Sequence, residues 1–568
     1  MLFSAFLPAV VAASFMASVT SQEKSLITQA SLVRLEPTTT ETPLTILGTV
    51  SGIVSIPISM STVELFYNAY FTDTSGKVVG GRLDLLQPNV WLLNGEINAD
   101  CQSVGSFLSS LSRVLATEVP SYLTYNNSTY GLDNCFSNGA IYPNTVITTT
   151  MGSMNATITT LLYSVVQTLT LSYGMVNYAT GPYVKGNLTI QASNGTDIEL
   201  NDFEFLIANN ATRVTGALGL ANSLRGEGLL DYLIAKGQVG GNGYSIFFGP
   251  HQNETDGTGI VLLGGVSEAF MSGPLYSFPR VPHTLSNSLL FPIVVLELVW
   301  MINLANDELI SLYSDDPFGV LFESRLRYSF FPINLILNLA VQMNAVYSNQ
   351  FKRWIVRCQD IWNTDAELRF KIGPLTIAVP LQSMLMKTEL FKYTDGGEAC
   401  YVTVLPTSFQ GYSALGLNVM SHVYMAMDNE KGNIALANPN PNVYFVDSQP
   451  VLNSSYLDSN STGMARIVNG NIPFAVLVTL QPQVVFTFST ANASLEANIP
   501  ARFSGSFLMS DSLLISDNIQ STMSYSAVSS VRTKTMSGLG LSFTVPNQTA
   551  LLCYVLLATI GFLGIAAL

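Results

Sequence analysis

The sequence predicts a mostly-β protein of roughly 400 folded residues with a few short helices. Three observations carry this. From about Ser61 onward, short apolar runs rich in β-branched and aromatic residues are broken by Gly, Asn, Pro or Ser, as in GNLTIQA, GYSIFFGP, GIVLLGGV and LRFKIGPLTIAVP. Helical periodicity is scarce. The chain is also long and sparsely charged, with 568 residues of which 48% are hydrophobic and 11% charged, enough for a large core.

The elements follow in order. Leu2 to Ala17 is apolar and ends in small residues, with a cleavage point near Ser21. Residues 1–21 therefore read as a signal peptide, although no Lys or Arg precedes the apolar run. An N-terminal segment, 22–60, leads to the first strands. Residues 100–150 are rich in Ser, Asn and Thr and read as a looped insertion. LLDYLIAKGQ places Leu229, Leu230, Leu233 and Ile234 on one helical face. A second helix opens at Pro332, with Leu335, Leu339, Met343 and Val346 along its stripe. After Pro473 the glycine-punctuated strands fade, so residues 474–538 are predicted as a Ser/Thr-containing stalk.

The final apolar run, TALLCYVLLATIGFLGIAAL, has no basic residue after it. A cytoplasmic flank would usually supply one. Small residues upstream and a spacer of about ten residues fit a GPI-anchor signal over 539–568. Gly538 is the attachment residue we favour, with Ser537 and Gly540 as rivals. Cys553 lies in the segment such processing removes. The other four cysteines form an even set, as in a disulfide-bonded extracellular domain. Three pairings are possible, and spacing favours Cys101–Cys135 and Cys358–Cys400. Sequons at Asn126, Asn127, Asn155, Asn187, Asn194, Asn210, Asn253, Asn453, Asn460 and Asn492 add to the expectation of an extracellular glycoprotein held at the plasma membrane or cell wall.

Composition also excludes. Lys and Arg total 24 against 38 Asp and Glu, a formal net charge of −14, which argues against nucleic acid. Three scattered histidines and the lack of HExxH, CxxC, Walker or GxSxG patterns point to no metal, cofactor or serine-hydrolase chemistry.

Four stretches in this order resemble the pepsin-like aspartic proteases, and most closely the fungal yapsins. YNAYFTDTSGKVVGGRLDLLQPNVWLLNG is similar to that family's opening strands and first catalytic loop. LTLSYGMVNYATGPYVKGNLTI is similar to the flap hairpin. VTGALGLANS, followed by GIVLLGGVSEAFMSGPLYSFPRV, resembles the crossing into the second lobe. VLFESRLRYSFFP through GYSALGLNVMSHVYMAMDNEKGNIALANP resembles the second lobe. The resemblance covers roughly Ser61 to Pro473. It implies a bilobal fold, with lobes at 61–270 and 271–473 and a cleft between them, and a monomer that takes a peptide or a surface or wall protein in that cleft.

The resemblance also assigns roles. Registering on Trp91 puts Asp84 at the first catalytic position, with Leu85 and Leu86 in place of Thr and Gly. The second motif, Asp-Ser-Gly-Thr-Thr in the family, falls on Glu323-Ser324-Arg325-Leu326-Arg327, where Ser324 is the one identity. Tyr173 and Gly174 match the flap Tyr-Gly and would contact substrate. Family chemistry needs two carboxylates sharing one proton across a water. Glu323 is longer than Asp by about 1.5 Å, and Arg325 brings a permanent cation where glycine belongs. We expect Arg325, or else Arg327, to pair with Asp84 or Glu323 and abolish the shared proton. The alternative leaves both arginines facing solvent. An active endopeptidase using Asp84 with Glu323 is the competing functional reading.

Overall fold

The computed structural model describes residues 50–489 apart from 61–65, 75, 96–139, 142–143, 152–153, 162, 174–176, 194, 212–215, 224–225, 227, 250–256, 284–290, 349–352, 394, 447–448 and 453–462, together with the short strands Leu44–Thr45 and Ser504–Gly505. All of them belong to one compact unit, Met1–Leu514. The predicted signal segment, the tail with Gly538, Cys101 and Cys135, and Asn126, Asn127, Asn194, Asn253, Asn453, Asn460 and Asn492 lie outside the described residues. Asn187 and Asn210 are exposed on strands, and Asn155 lies on the strand Met154–Leu161. Among the described residues, no helix is long and apolar enough to cross a membrane.

Strands dominate, as the alternation requires. In Ala366–Ile372 the buried positions are Ala366, Leu368, Phe370 and Ile372, and in Leu375–Pro380 they are Leu375, Ile377 and Val379. Successive side chains of a strand point to opposite faces, so one face joins the core. Gly373 turns this hairpin with φ +54°, a conformation that a side chain resists.

One sheet of 16 strands runs through both halves of the unit. Its first part pairs Val54–Met60, Tyr67–Thr72 and Val78–Asp84 in an antiparallel meander. Gly243–Phe248 then pairs with Tyr424–Asp428 in the register Tyr244↔Met427, which joins the N-terminal strands to the C-terminal ones. A separate five-stranded sheet contains Phe318–Phe322.

Several boundaries move. Val54–Met60 belongs to the sheet, with Ile56 and Ile58 fully buried, so the folded region starts before residue 61. The end of the presumed 100–150 loop is a regular hairpin, Asn144–Met151 with Met154–Leu161. The presumed stalk begins as folded structure: Ala475–Leu477 adds a parallel strand to Met271–Pro279, and Phe486 and Phe488 are buried. Alternation in VVFTFST places these two rings on one side, which is what a docked strand needs.

The helices largely follow the pattern. Leu229–Ala235 buries Leu229, Leu230 and Leu233. Ile333–Gln342 buries Leu335 and Leu339, and Pro332 is its N-cap rather than its first residue. Met343 is buried as its C-cap, but Val346 opens the strand Val346–Ser348.

Cys358 and Cys400 are bonded, 42 residues apart and fully buried. They staple the helix Cys358–Trp362 to the strand Glu398–Val402. Replacing both by Ala should cost about 2–4 kcal/mol, mainly through a less restricted unfolded chain. Guanidinium melts of the two forms measure this directly.

Candidate functional site

The site is built twice from the same device. In the first copy, Val78–Asp84 runs parallel to Ala217–Gly219, which also meets Trp91 antiparallel. In the second, Phe318–Phe322 runs parallel to Ala414–Leu415, which meets Phe330 antiparallel. Each copy is a strand, a tight loop and a returning strand, with a third strand inserted between them. Asp84 ends the first entering strand and Glu323 directly follows the second.

The inserted strands come close to the loops because they carry glycine. A Cβ on Gly219 would collide with the carbonyl oxygens of Gln87 and Asn89, and one on Gly416 with those of Arg327 and Tyr328. These two glycines serve close backbone approach rather than unusual φ.

The carboxylates are held alike. Leu86 N–H donates to Asp84 Oδ1 at 2.9 Å, and Arg325 N–H donates to Glu323 Oε1 at 3.1 Å. Each is the amide two residues on from its acid. The two loops are also bonded to one another: Ser324 Oγ donates to Leu83 O at 2.9 Å and accepts from Leu85 N–H at 3.2 Å. Leu85 and Leu86 supply no matching hydroxyl, so this cross-loop link runs through Ser324 alone among the residues at the two motif positions. Ser324→Ala should therefore lose about 1–3 kcal/mol, because buried Leu85 N–H loses this acceptor. A lowered urea midpoint with unchanged slope is the expected reading.

Arg325 occupies the centre. Its Nε donates to Glu323 Oε1 at 2.7 Å and its Nη2 to Oε2 at 2.5 Å, a bidentate pair with both side chains at most 2% exposed. Tyr412 OH donates to Glu323 Oε2 at 3.1 Å. The reading in which both arginines face solvent is thereby overturned for Arg325, since burying its cation requires the partner it has. Arg327 is half-buried and donates to Leu385 O at 3.1 Å.

Sequence reasoning missed two contributors. Arg82 is fully buried on the entering strand, its Nη2 3.9 Å from Asp84 Oδ2 and its guanidinium 5.3 Å from the Phe66 ring centre. A buried arginine two residues before the acid was the signal available. Tyr412 had none, because its partner lies 89 residues away.

The electrostatics split the two acids. Burial pushes the Asp84 carboxyl above its ordinary value, outweighing the charges of Arg325 and Arg82 and the Leu86 amide. Among the described residues no hydrogen-bond donor reaches Asp84 Oδ2. For Glu323 burial also pushes upward, but the Arg325 charge, its hydrogen bonds and Tyr412 together overcome it, so the carboxyl lies below its ordinary value. Arg325 is lifted well above its usual value by Glu323 despite burial, so it stays a cation. Four buried charged groups, formally two positive and two negative if Asp84 is ionised, fill the space around the two loops. Of two surface cavities of about 190 and 350 Å³, neither is lined by Asp84, Glu323 or Arg325, although Tyr412 lines the larger.

Tyr173 ends the strand Ser164–Tyr173 and pairs with Asn177, at the tip of a long hairpin with Asn177–Gln191. Gly174 lies outside the described residues.

The family model for eukaryotic aspartyl proteases matches residues 145–439, more than half of the chain. The chain belongs to this family. The match begins after Asp84 and includes the second motif. Among curated relatives, the chain is similar to aspartic proteinase yapsin-7 of Saccharomyces cerevisiae, 24% identical over 424 residues, which is 69% of this chain and 67% of that one. It is also similar to aspartic proteinase 3 of the same yeast, at 20% identity over 53% of this chain and 55% of the relative. Barrierpepsin, again from that yeast, is 25% identical over 49% of this chain and 48% of its own. The chain thus spans between about half and two thirds of these relatives' lengths. As a yapsin-type family member it has the bilobal, mostly-β pepsin-like fold.

Proposed function

We propose that this protein is a catalytically impaired aspartic-protease homologue that binds or regulates peptide partners at the cell surface, with a role in cell wall organisation. The observation that carries the reading is the bidentate Arg325–Glu323 pair. Proteolysis of the family type needs a water and one mobile proton between two carboxylates. Arg325 instead satisfies both oxygens of one of them and holds it ionised. Asp84, Glu323 and Arg325 are at most 2% exposed, which supports a closed site.

Purified protein incubated with unfolded substrate at acid pH, with and without a transition-state peptide inhibitor, tests this. No inhibitor-sensitive cleavage is expected. The anchor proposal is tested on cells: phosphatidylinositol-specific phospholipase C should release the protein, and resistance would count against attachment near Gly538.

One observation favours a second reading, an active endopeptidase using Asp84 and Glu323. The two carboxyls are driven apart, Asp84 upward and Glu323 downward, and such a split is how one acid and one base are assigned. Inhibitor-sensitive cleavage abolished by Asp84→Asn would establish this reading and remove the first.

A further inference from the structure

We infer that residues 484–489 are an internal ligand: they fill a groove beside the two motif loops that takes an uncharged, extended peptide with aromatic side chains two positions apart, and such a peptide displaces them. This rests on the peptide-binding half of the proposed function and names its ligand class.

Side chains seat the segment. Phe486 and Phe488 are 3 and 8% exposed, with ring centres 5.0 Å apart. They share one apolar cluster with Leu86 of the first motif loop and with Leu321, Leu326 and Ala414 around the second. Phe488 also meets His283 and Phe291 edge-on, at 5.7 and 5.8 Å. Both rings lie against Tyr412, at 6.1 and 5.2 Å, and Tyr412 OH donates to Glu323. One side chain separates the segment from that carboxylate.

The backbone is held as a bound peptide's would be. Phe486 N–H donates to Pro282 O at 3.3 Å, and Ser489 donates to Gly411 O from N–H at 2.8 Å and from Oγ–H at 2.9 Å. Among the described residues, its strand pairing is one isolated bridge, His283 to Phe486. Val485, Thr487 and Ser489 are exposed, while Phe486 and Phe488 between them are buried. Main-chain bonds for affinity and pockets for alternate side chains are how proteins recognise extended peptides.

The fit is incomplete, which makes the segment replaceable. A cavity of about 350 Å³ beside it is lined by Val485, Phe486, Thr487, Tyr313 and Phe318. Ser408 also lines it, and its Oγ is buried without a hydrogen-bond partner among the described residues. An unpartnered buried hydroxyl costs free energy that a ligand's polar group can recover. Charge restricts the ligand. Residues 481–489 contain no Asp, Glu, Lys, Arg or His, and among the described residues no charged side chain lines the cavity. Being attached, the segment competes at high effective concentration. The natural chain therefore binds a free peptide only in the fraction whose groove is open.

The test uses a fluorescent peptide, PQVVFTFS, which copies residues 482–489, and a control with both Phe replaced by Ser. The full chain carrying Phe486→Ala and Phe488→Ala should half-saturate with the copy at a concentration roughly tenfold or more below that of the natural chain. It should not bind the control. A second variant leaves both rings in place: Val485→Cys, at an exposed position, carries a nitroxide. The signal of the unmutated chain treated identically is subtracted. Copy peptide at about millimolar concentration should make this nitroxide more mobile, and the control should leave it unchanged. A folded double variant that binds the copy no tighter than the natural chain overturns the inference. So does a nitroxide that stays restricted with the copy present, whatever the double variant does. Binding of a transition-state peptide with the nitroxide unmoved would keep the peptide-binding reading and remove only this inference. Inhibitor-sensitive cleavage of unfolded protein would instead remove the impaired-enzyme reading and leave these binding results standing.

Discussion

Glu323→Gln should destabilise the protein by about 3–5 kcal/mol, because it strands the Arg325 cation in a buried site. The loss exceeds the pair's own net worth, since the penalty is that of an uncompensated charge. Glu323→Gln combined with Arg325→Met should recover much of it. Urea denaturation of the two singles and the double yields the coupling energy between the side chains. pH separates the contributions further. Glu323 is held below its ordinary value of 4.5. Its stabilisation is complete above that pH and is lost as pH falls through the lowered folded value. Asp84 is raised above its ordinary 3.8, so its contribution is complete below that value and is lost as pH rises through the raised one. Glu323→Gln should accordingly remove an acid-side fall in stability, whereas Asp84→Asn should make the protein more stable near neutral pH. A fall in stability below pH 4.5 that persists in Glu323→Gln would show that other groups govern it.

Restoring both loops to the family pattern should create proteolysis. The variant carries Leu85→Thr, Leu86→Gly, Glu323→Asp, Arg325→Gly, Leu326→Thr and Arg327→Thr, and keeps Asp84 and Ser324. Removing Arg325 frees the second carboxylate, shortening Glu323 withdraws it by about 1.5 Å, and glycine at 86 and 325 opens the approach for water and substrate. General acid–base catalysis contributes about 10²–10⁴-fold. Cleavage of unfolded protein at acid pH should therefore rise at least about 100-fold over the natural sequence. It should be blocked by a transition-state peptide and abolished by adding Asp84→Asn. Deleting the buried Leu86 side chain leaves a cavity with its own cost. The smaller variant Glu323→Asp with Arg325→Gly therefore accompanies it, and circular dichroism checks both. Two folded variants without activity would show that the cleft itself, and not only the loops, has been lost.

Much of this was legible one residue at a time. The β character followed from short alternating runs, and the helix after Pro332 from its stripe. The cysteine pair 358 and 400 followed from spacing, and the two motif loops from the order of four family-like stretches. What failed did so for a common reason. Val346 fits a helical stripe by spacing alone, yet strand pairing with Ile355 takes it. Residues 474–489 read as part of a stalk because the glycine-punctuated strands fade after Pro473, while the partners of Phe486 and Phe488, among them Tyr412, lie far off in sequence.

The sequence by itself determined the family and the presence of an arginine and a lengthened acid where the shared proton should lie, since these are matters of residue identity at aligned positions. Only the tertiary structure decided which acid Arg325 takes, that Arg82 and Tyr412 join the cluster, and that Ser324 alone at the motif positions ties the loops. Those outcomes depend on distances of 2.5 to 3.9 Å between side chains. Glu323 stands two residues from Arg325, whereas Tyr412 reaches it from 89 away. Electrostatic and hydrogen-bond energies at such range are set by burial and geometry, which spacing along the chain does not encode.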